Sequence, residues 1–167
     1  DMDIAAGFVE LAKASGDSRY RTLAKDIIMK CLRVYDRPDY LAKEGRSPDA
    51  PDTAGIRIMD DWMLFLRAAT RMLVHGTDSD MEKLASRCVD TIMNDYYNPT
   101  FGLIVERLRH DHTFFDGDFG QLINFGNDFQ AIWHVMDESV RTKNSGIFST
   151  AAGRLKRHID VAWDDVY

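Results

Sequence analysis

Several groups of residues in this chain could do chemistry. Asn127 and Gln130 stand close together in Asn124-Phe125-Gly126-Asn127-Asp128-Phe129-Gln130, where a glycine and small polar residues lead into an amphipathic helix. Their amides both donate and accept hydrogen bonds, which suits a hydroxyl-rich ligand better than a charged one. A helix start also offers free backbone N–H groups to a ligand. Asn127 reads equally as a helix cap, a role asparagine fills well, and Gln130 as a plain polar face residue. Neither amide can serve as a base near neutral pH. His134 lies on the same helix face as Asn127, about 10 Å along the axis. It is either a displaced base or a histidine packed between helices. Asp60 and Asp61 open another helix. Paired carboxylates divide acid and nucleophile roles when their surroundings separate their pKa values, and acidic charge at a helix N-terminus is favourable in itself. Glu106 and Arg107, with His110-Asp111-His112, Asp116 and Asp118, fall in one long connection. Mixed loop histidines and aspartates are weak evidence for a metal site, and none is assigned. Trp62 and Trp133 read first as core, although an indole facing a cavity stacks well on a flat, partly apolar ring.

The elements that carry these residues follow from apolar spacing. A helix is expected over residues 1–15 with Ile4, Phe8, Leu11 and Ala12 on one face, and a second over 19–34 with Tyr20, Leu23, Ala24, Ile27 and Cys31. Arg37-Pro38 stops the second, and residues 39–57 form a long connection with Pro48, Pro51, Gly45 and Gly55. A third helix starts near residue 59 and buries Trp62, Phe65, Leu66, Ala69 and Met72. Ser79 with Glu82 has the capping-box spacing and starts a fourth, with Met81, Leu84, Ala85, Cys88 and Ile92 inside. Residues 101–119 are again a long connection, with a short extended piece at 102–105. A fifth helix over 122–142, interrupted or capped near Gly126-Asn127, carries Phe129, Ile132, Trp133, Met136 and Val140. A sixth buries Phe148, Ala152, Leu155, Ile159 and Ala162.

The stripe repeats. Tyr20, Leu23, Ala24, Ile27 and Cys31 recur 61 residues later as Met81, Leu84, Ala85, Cys88 and Ile92, and 67 residues later again as Phe148, Ala151, Ala152, Leu155 and Ile159. Each copy is one helical hairpin followed by a long loop. Such hairpins bury their apolar faces by stacking on neighbours, and long loops gathered on one rim are the usual place for a site. The expected fold is therefore all-α, three stacked hairpins making about half of an α/α toroid of some six. On that reading residues 1–167 are one segment of a larger domain, with an independent six-helix bundle as the alternative.

Composition limits the partners. Hydrophobic residues make up 45% of the 167, enough for a real core. The net charge of −6, with both signs spread along the chain, argues against nucleic acid or an anionic membrane surface as a partner. No apolar run approaches the roughly 20 residues of a membrane span. Cys31 and Cys88 each sit in an apolar stripe and read as small core residues, which fits a reducing, cytoplasmic setting.

The junction at Gly126-Asn127-Asp128-Phe129-Gln130 resembles the Gly-His-x-x-Glu junction of the N-acylglucosamine 2-epimerase family, which includes cellobiose 2-epimerases. Asn127 stands where that family has histidine, and Gln130 where it usually has glutamate. Other pieces follow in the family's order. Ala14-Ser15-Gly16-Asp17-Ser18-Arg19-Tyr20 is similar to its hairpin turn, and Tyr97-Asn98-Pro99-Thr100-Phe101-Gly102-Leu103 to its Tyr-Asp-Pro-x-x-Gly-Leu loop. Trp133-His134-Val135-Met136-Asp137-Glu138-Ser139 fits the helix after the junction, and Trp163-Asp164-Asp165-Val166-Tyr167 resembles the start of its Trp-Asp-x-x-Tyr-Gly-Gly loop. Where the family carries Asn-Pro-x-x-His, Asp60 stands roughly at the asparagine and Leu64 at the histidine. The resemblance implies an α/α toroid around a cavity and a small-molecule sugar as partner. It implies cofactor-independent epimerisation or isomerisation at C2, in which one histidine removes a proton and another returns it. Asp60-Asp61 also looks like the acidic pair of α/α-toroid mannan hydrolases, so a glycoside hydrolase remains the alternative, and a sugar-binding member without catalysis a third. Asp60, Asp61 and His134 are the catalytic candidates. Asn127, Gln130, Glu106, Arg107 and Trp62 are the sugar-binding ones. The starts of the third and fifth helices are expected to share one cavity.

Overall fold

A computed structural model describes residues 1–40 and 55–164. The long connection expected over 39–57 therefore falls largely outside the described residues. Among the described residues six α-helices form three hairpins: α1 Met2–Ser15 with α2 Ser18–Tyr35, α3 Met59–Val74 with α4 Ser79–Asp90, and α5 Phe125–Arg141 with α6 Ser145–Ala162. α1, α3 and α5 pack side by side, and α2, α4 and α6 each back their own partner. Four two-residue strands accompany them: β1 Arg57–Ile58, β2 Tyr97–Asn98, β3 Leu103–Ile104 and β4 Arg107–Leu108. β1 pairs antiparallel with β4, placing Ile58 opposite Arg107, and β2 pairs antiparallel with β3. The all-α hairpin architecture expected from the repeat is the observed one. Among the described residues no helix is long and apolar enough to cross a membrane.

Helix boundaries follow from capping. Asp17 accepts from the Arg19 N–H, Asn124 from Asn127, and Asn144 from Ile147. Gly16 takes a left-handed φ of 70° and returns its N–H to the Ala12 carbonyl, closing α1. Two expectations shift. The cap of α4 is Asp78, which accepts from the Asp80 and Met81 N–H groups, while Glu82 reaches Arg141 instead of the helix start. α5 begins after Asn124, so Gly126 and Asn127 belong to its first turn and do not interrupt it. α4 ends in one π turn, Thr91–Asp95, closed by the Tyr96 N–H to the Thr91 carbonyl at 3.1 Å, and Tyr96 is fully buried beyond it.

The core sits on α3. Met59, Trp62, Phe65, Leu66, Ala69 and Met72 are buried, as are Met81, Leu84, Ala85, Cys88 and Ile92 of the second hairpin. The outer hairpins differ from expectation. α1 buries Ala5 and Val9, with Ile4 and Leu11 exposed, and Leu23 of α2 is exposed too. α5 buries Ala131, Ile132 and Val135 and exposes Trp133 and Val140; α6 buries Ala151 and exposes Phe148 and Ile159. The cause is position in the stack. A middle hairpin is covered on both sides, whereas a terminal one in this row has a single neighbour, so its second apolar side stays bare.

Polar side chains tie the hairpins together. Arg21 of α2 donates to the Met72 and Gly76 carbonyls at the end of α3, satisfying helix-terminal acceptors. Lys25 bonds both oxygens of Asp78. Glu138 of α5 is buried and accepts from the Thr70 hydroxyl at 2.8 Å and from Arg141, which also reaches Glu82 of α4. Arg141→Ala would strand the Glu138 carboxylate. We expect a loss of roughly 3 kcal/mol in denaturant unfolding, with part of it recovered when Glu138→Gln is added.

Candidate functional site: the rim where α3 and α5 begin

The two long connections join the hairpins at the end where α3 and α5 begin, and Glu106 links the two helix starts. α3 has no side-chain cap. Its Met59 N–H donates instead to the Glu106 carbonyl at 3.0 Å, and the Glu106 N–H donates to the Leu122 carbonyl just before α5. From α5, the Asn127 amide donates to Glu106 Oε1 at 3.3 Å. The β1–β4 pairing fixes the register of this segment beside the entry to α3. Glu106 is buried, with 2% of its surface exposed.

Beside Asn127 lies Asp128, 0% exposed, with no hydrogen-bond partner among the described residues for either carboxyl oxygen. Its nearest basic group is His158 of α6, 3.7 Å away. That ring is already committed. Nε2 accepts from the Ile104 N–H at 3.0 Å, which leaves Nδ1 to donate to the Arg154 carbonyl at 2.8 Å. Both bonds suit a neutral imidazole, and burial holds its pKa below the usual value. Burial, and then the charge of Glu106, push the Asp128 carboxyl up to about 8.

The other candidates occupy separate places. Asp60 and Asp61 line a cavity of about 520 Å³ that faces α1 and α2, together with Asp3, Lys30 and Tyr40. The Tyr40 hydroxyl donates to Asp61 Oδ2 at 3.3 Å, and burial, followed by the Asp61 charge, pushes this phenol up to about 12. Asp60 and Asp61 thus share the rim with Asn127 but open on the α1 side, while Asn127 turns to Glu106. Gln130 is exposed one turn on. His134 is 8% exposed and lies against Trp133, ring centres 4.6 Å apart. Burial and then Arg67 lower its pKa to about 4, so it is a neutral, packed histidine. Trp62 is 0% exposed, enclosed by Tyr35, Phe65, His112 and the Arg87 guanidinium, which leaves no face for a sugar. Arg107 lies over the Phe119 ring. His112 bonds Asp95 at 2.6 Å, and among the described residues no three His, Cys, Asp or Glu side chains converge as metal ligands. A larger groove, about 1150 Å³, runs between α4 and α6 and contains none of these groups.

Sequence reasoning missed Asp128. The signal was present: Asp128 falls in register with Ala131, Ile132 and Val135, an acid on the apolar side of its helix. An acid there must be neutral, paired or functional. Together the rim offers carboxyl groups and amides, which can bind hydroxyls and move protons, and no described histidine stands at the start of α5.

No protein-family model matches the chain, and no characterised protein matches it in sequence. Its fold is similar to that of a crystal structure of D-mannose isomerase, with a TM-score of 0.60 at 13% identity, over 95% of this chain and 39% of that one. At that identity the likeness is one of fold, and the chain spans well under half of that protein's length.

The buried acid makes stability pH-dependent. A carboxyl raised in the folded state contributes most below its unfolded value, near 4, and the contribution is lost as pH rises through about 8. Thermal unfolding between pH 4 and 8 should show this fall, about 1.4 kcal/mol per pH unit at most. Asp128→Asn should flatten it.

Proposed function

We propose that this chain is three hairpins of a larger α/α toroid, and that the whole protein is a cofactor-independent isomerase or epimerase acting at C2 of a neutral sugar by proton abstraction and return. The observation that carries the reading is the shared fold with D-mannose isomerase over nearly the whole chain. The Glu106–Asn127 pair stands at the junction where the resembling epimerases place a histidine. The bare apolar sides of α1–α2 and α5–α6 support further hairpins on either flank. Neutral substrates suit the amides of Asn127 and Gln130, which both donate and accept hydrogen bonds and so match hydroxyl-rich ligands better than charged ones.

In this reading Asn127 and Gln130 orient hydroxyls at the rim. With an amide at position 127, exchange by a two-histidine route is slow. The hydrolase alternative rests on Asp60 and Asp61, which line a cavity of ligand size beside Tyr40.

Incubating the full-length protein with neutral aldoses and ketoses in D₂O separates the readings. Deuterium at C2 is the expected result. Released reducing ends would indicate the hydrolase, and neither product would leave a binding protein. Asn127→His should raise C2 exchange, roughly tenfold or more if imidazole supplies general base catalysis. An unchanged rate in a folded, sugar-binding variant would argue against proton transfer at this junction.

A further inference from the structure

Asp128 has no role in the chemistry above, yet its surroundings are unusual. Among the described residues neither oxygen has a hydrogen-bond partner, and no part of the residue reaches solvent. Among those residues, the basic group 3.7 Å from its carboxyl is the neutral His158 ring. On α6, His158 uses both ring nitrogens, and Arg154 turns away to the Met93 carbonyl and the Tyr97 ring. On α5 its neighbour Asn127 is neutral and bonded to Glu106. On α3, Asp60 and Asp61 look into the cavity on the α1 side. Between β3 and β4 stands Glu106, a second acid. Two carboxyl groups in one dry place do not both ionise, because each charge disfavours the other and burial disfavours both.

We infer that Asp128 is a positioning residue that keeps a buried proton beside Glu106, so that Glu106 carries the pair's single negative charge and holds the Asn127 amide at the rim. The role of that amide in sugar chemistry rests on the reading above; the shared proton does not. Geometry gives each member its part. Glu106 Oε1 accepts from the Asn127 amide, a donor that Asp128 lacks among the described residues, so Glu106 is the member better stabilised as an anion. Asp128, without any donor, is the member that stays neutral. When alkaline solution removes the Asp128 proton, two like charges face each other behind Asn127, and the Glu106–Asn127 bond is the contact that yields.

The test is a carboxyl and amide titration by NMR on full-length protein labelled at aspartate and asparagine side chains. One aspartate carboxyl should titrate above pH 7, and the Asn127 side-chain amide, assigned through Asn127→Ala, should shift with the same midpoint. Both changes should vanish in Asp128→Asn. If the protein turns over a sugar, the same variant should move the alkaline limb of kcat upward by about one pH unit or more, with KM near neutral pH unchanged. All aspartates titrating below pH 5.5 would overturn the inference, as would an Asn127 amide that ignores the titration. Should Asp128→Asn not fold, the wild-type titration decides alone. Absence of C2 exchange with an intact titration would fail the sugar reading and leave the shared proton standing.

Discussion

Two helices in this fold begin against one residue. Glu106 gives its carbonyl to the first N–H of α3, its N–H to the chain entering α5, and its carboxylate to Asn127 in the first turn of α5. A helix start has unsatisfied donors, and α3 has no side-chain cap of its own. The connection therefore does what a cap would do, and in doing so fixes how the second and third hairpins sit relative to each other at the rim. Everything placed there, from the Asp60–Asp61 cavity to the buried carboxyl of Asp128, inherits its position from that one strap.

The opposite end of the stack is held differently. Ionic side chains take over there: Arg21 on the α3 carbonyls, Lys25 on Asp78, and Arg141 between Glu82 and the buried Glu138. Breaking one partner of a buried pair costs more than the pair contributes, so this end resists partial substitution. The rim adds the backbone bonds of Glu106 to side-chain ties such as Arg87 on Asp36, and its loops suit a surface where function varies on a constant scaffold.

The core of the middle hairpin was legible in the sequence. Trp62, Phe65, Leu66, Ala69 and Met72, with Met81, Leu84, Ala85, Cys88 and Ile92, are buried where their spacing places them, because neighbours cover α3–α4 on both sides. The outer stripes were legible as apolar faces but not as to which neighbour covers them. Trp133, Val140, Phe148 and Ile159 remain exposed on sides that no other described hairpin covers. At the site, Asn127 and Glu106 were found by type and location. Their bond to each other was not, since it depends on a backbone path through residues 96–124 that no periodicity encodes. Asp128 was hidden for the opposite reason. Its position follows the helical pattern, but its type contradicts it. Trp62, a sugar-binding candidate, is enclosed by side chains of α2, α3, α4 and the loop that holds His112.

The π turn at Thr91–Asp95 has an evolutionary reading. It holds one residue more than an α-helical turn, and a helix advances about 100° per residue. Removing one residue would restore regular helix and swing Tyr96 away from the core, taking the entry to β2 with it. The cost of the extra residue in helix geometry is offset by a buried aromatic. A sequence that shares this hairpin but lacks that residue should enter its next connection from a different side. The width of a single helical turn then marks which relatives can build the same strap over α3.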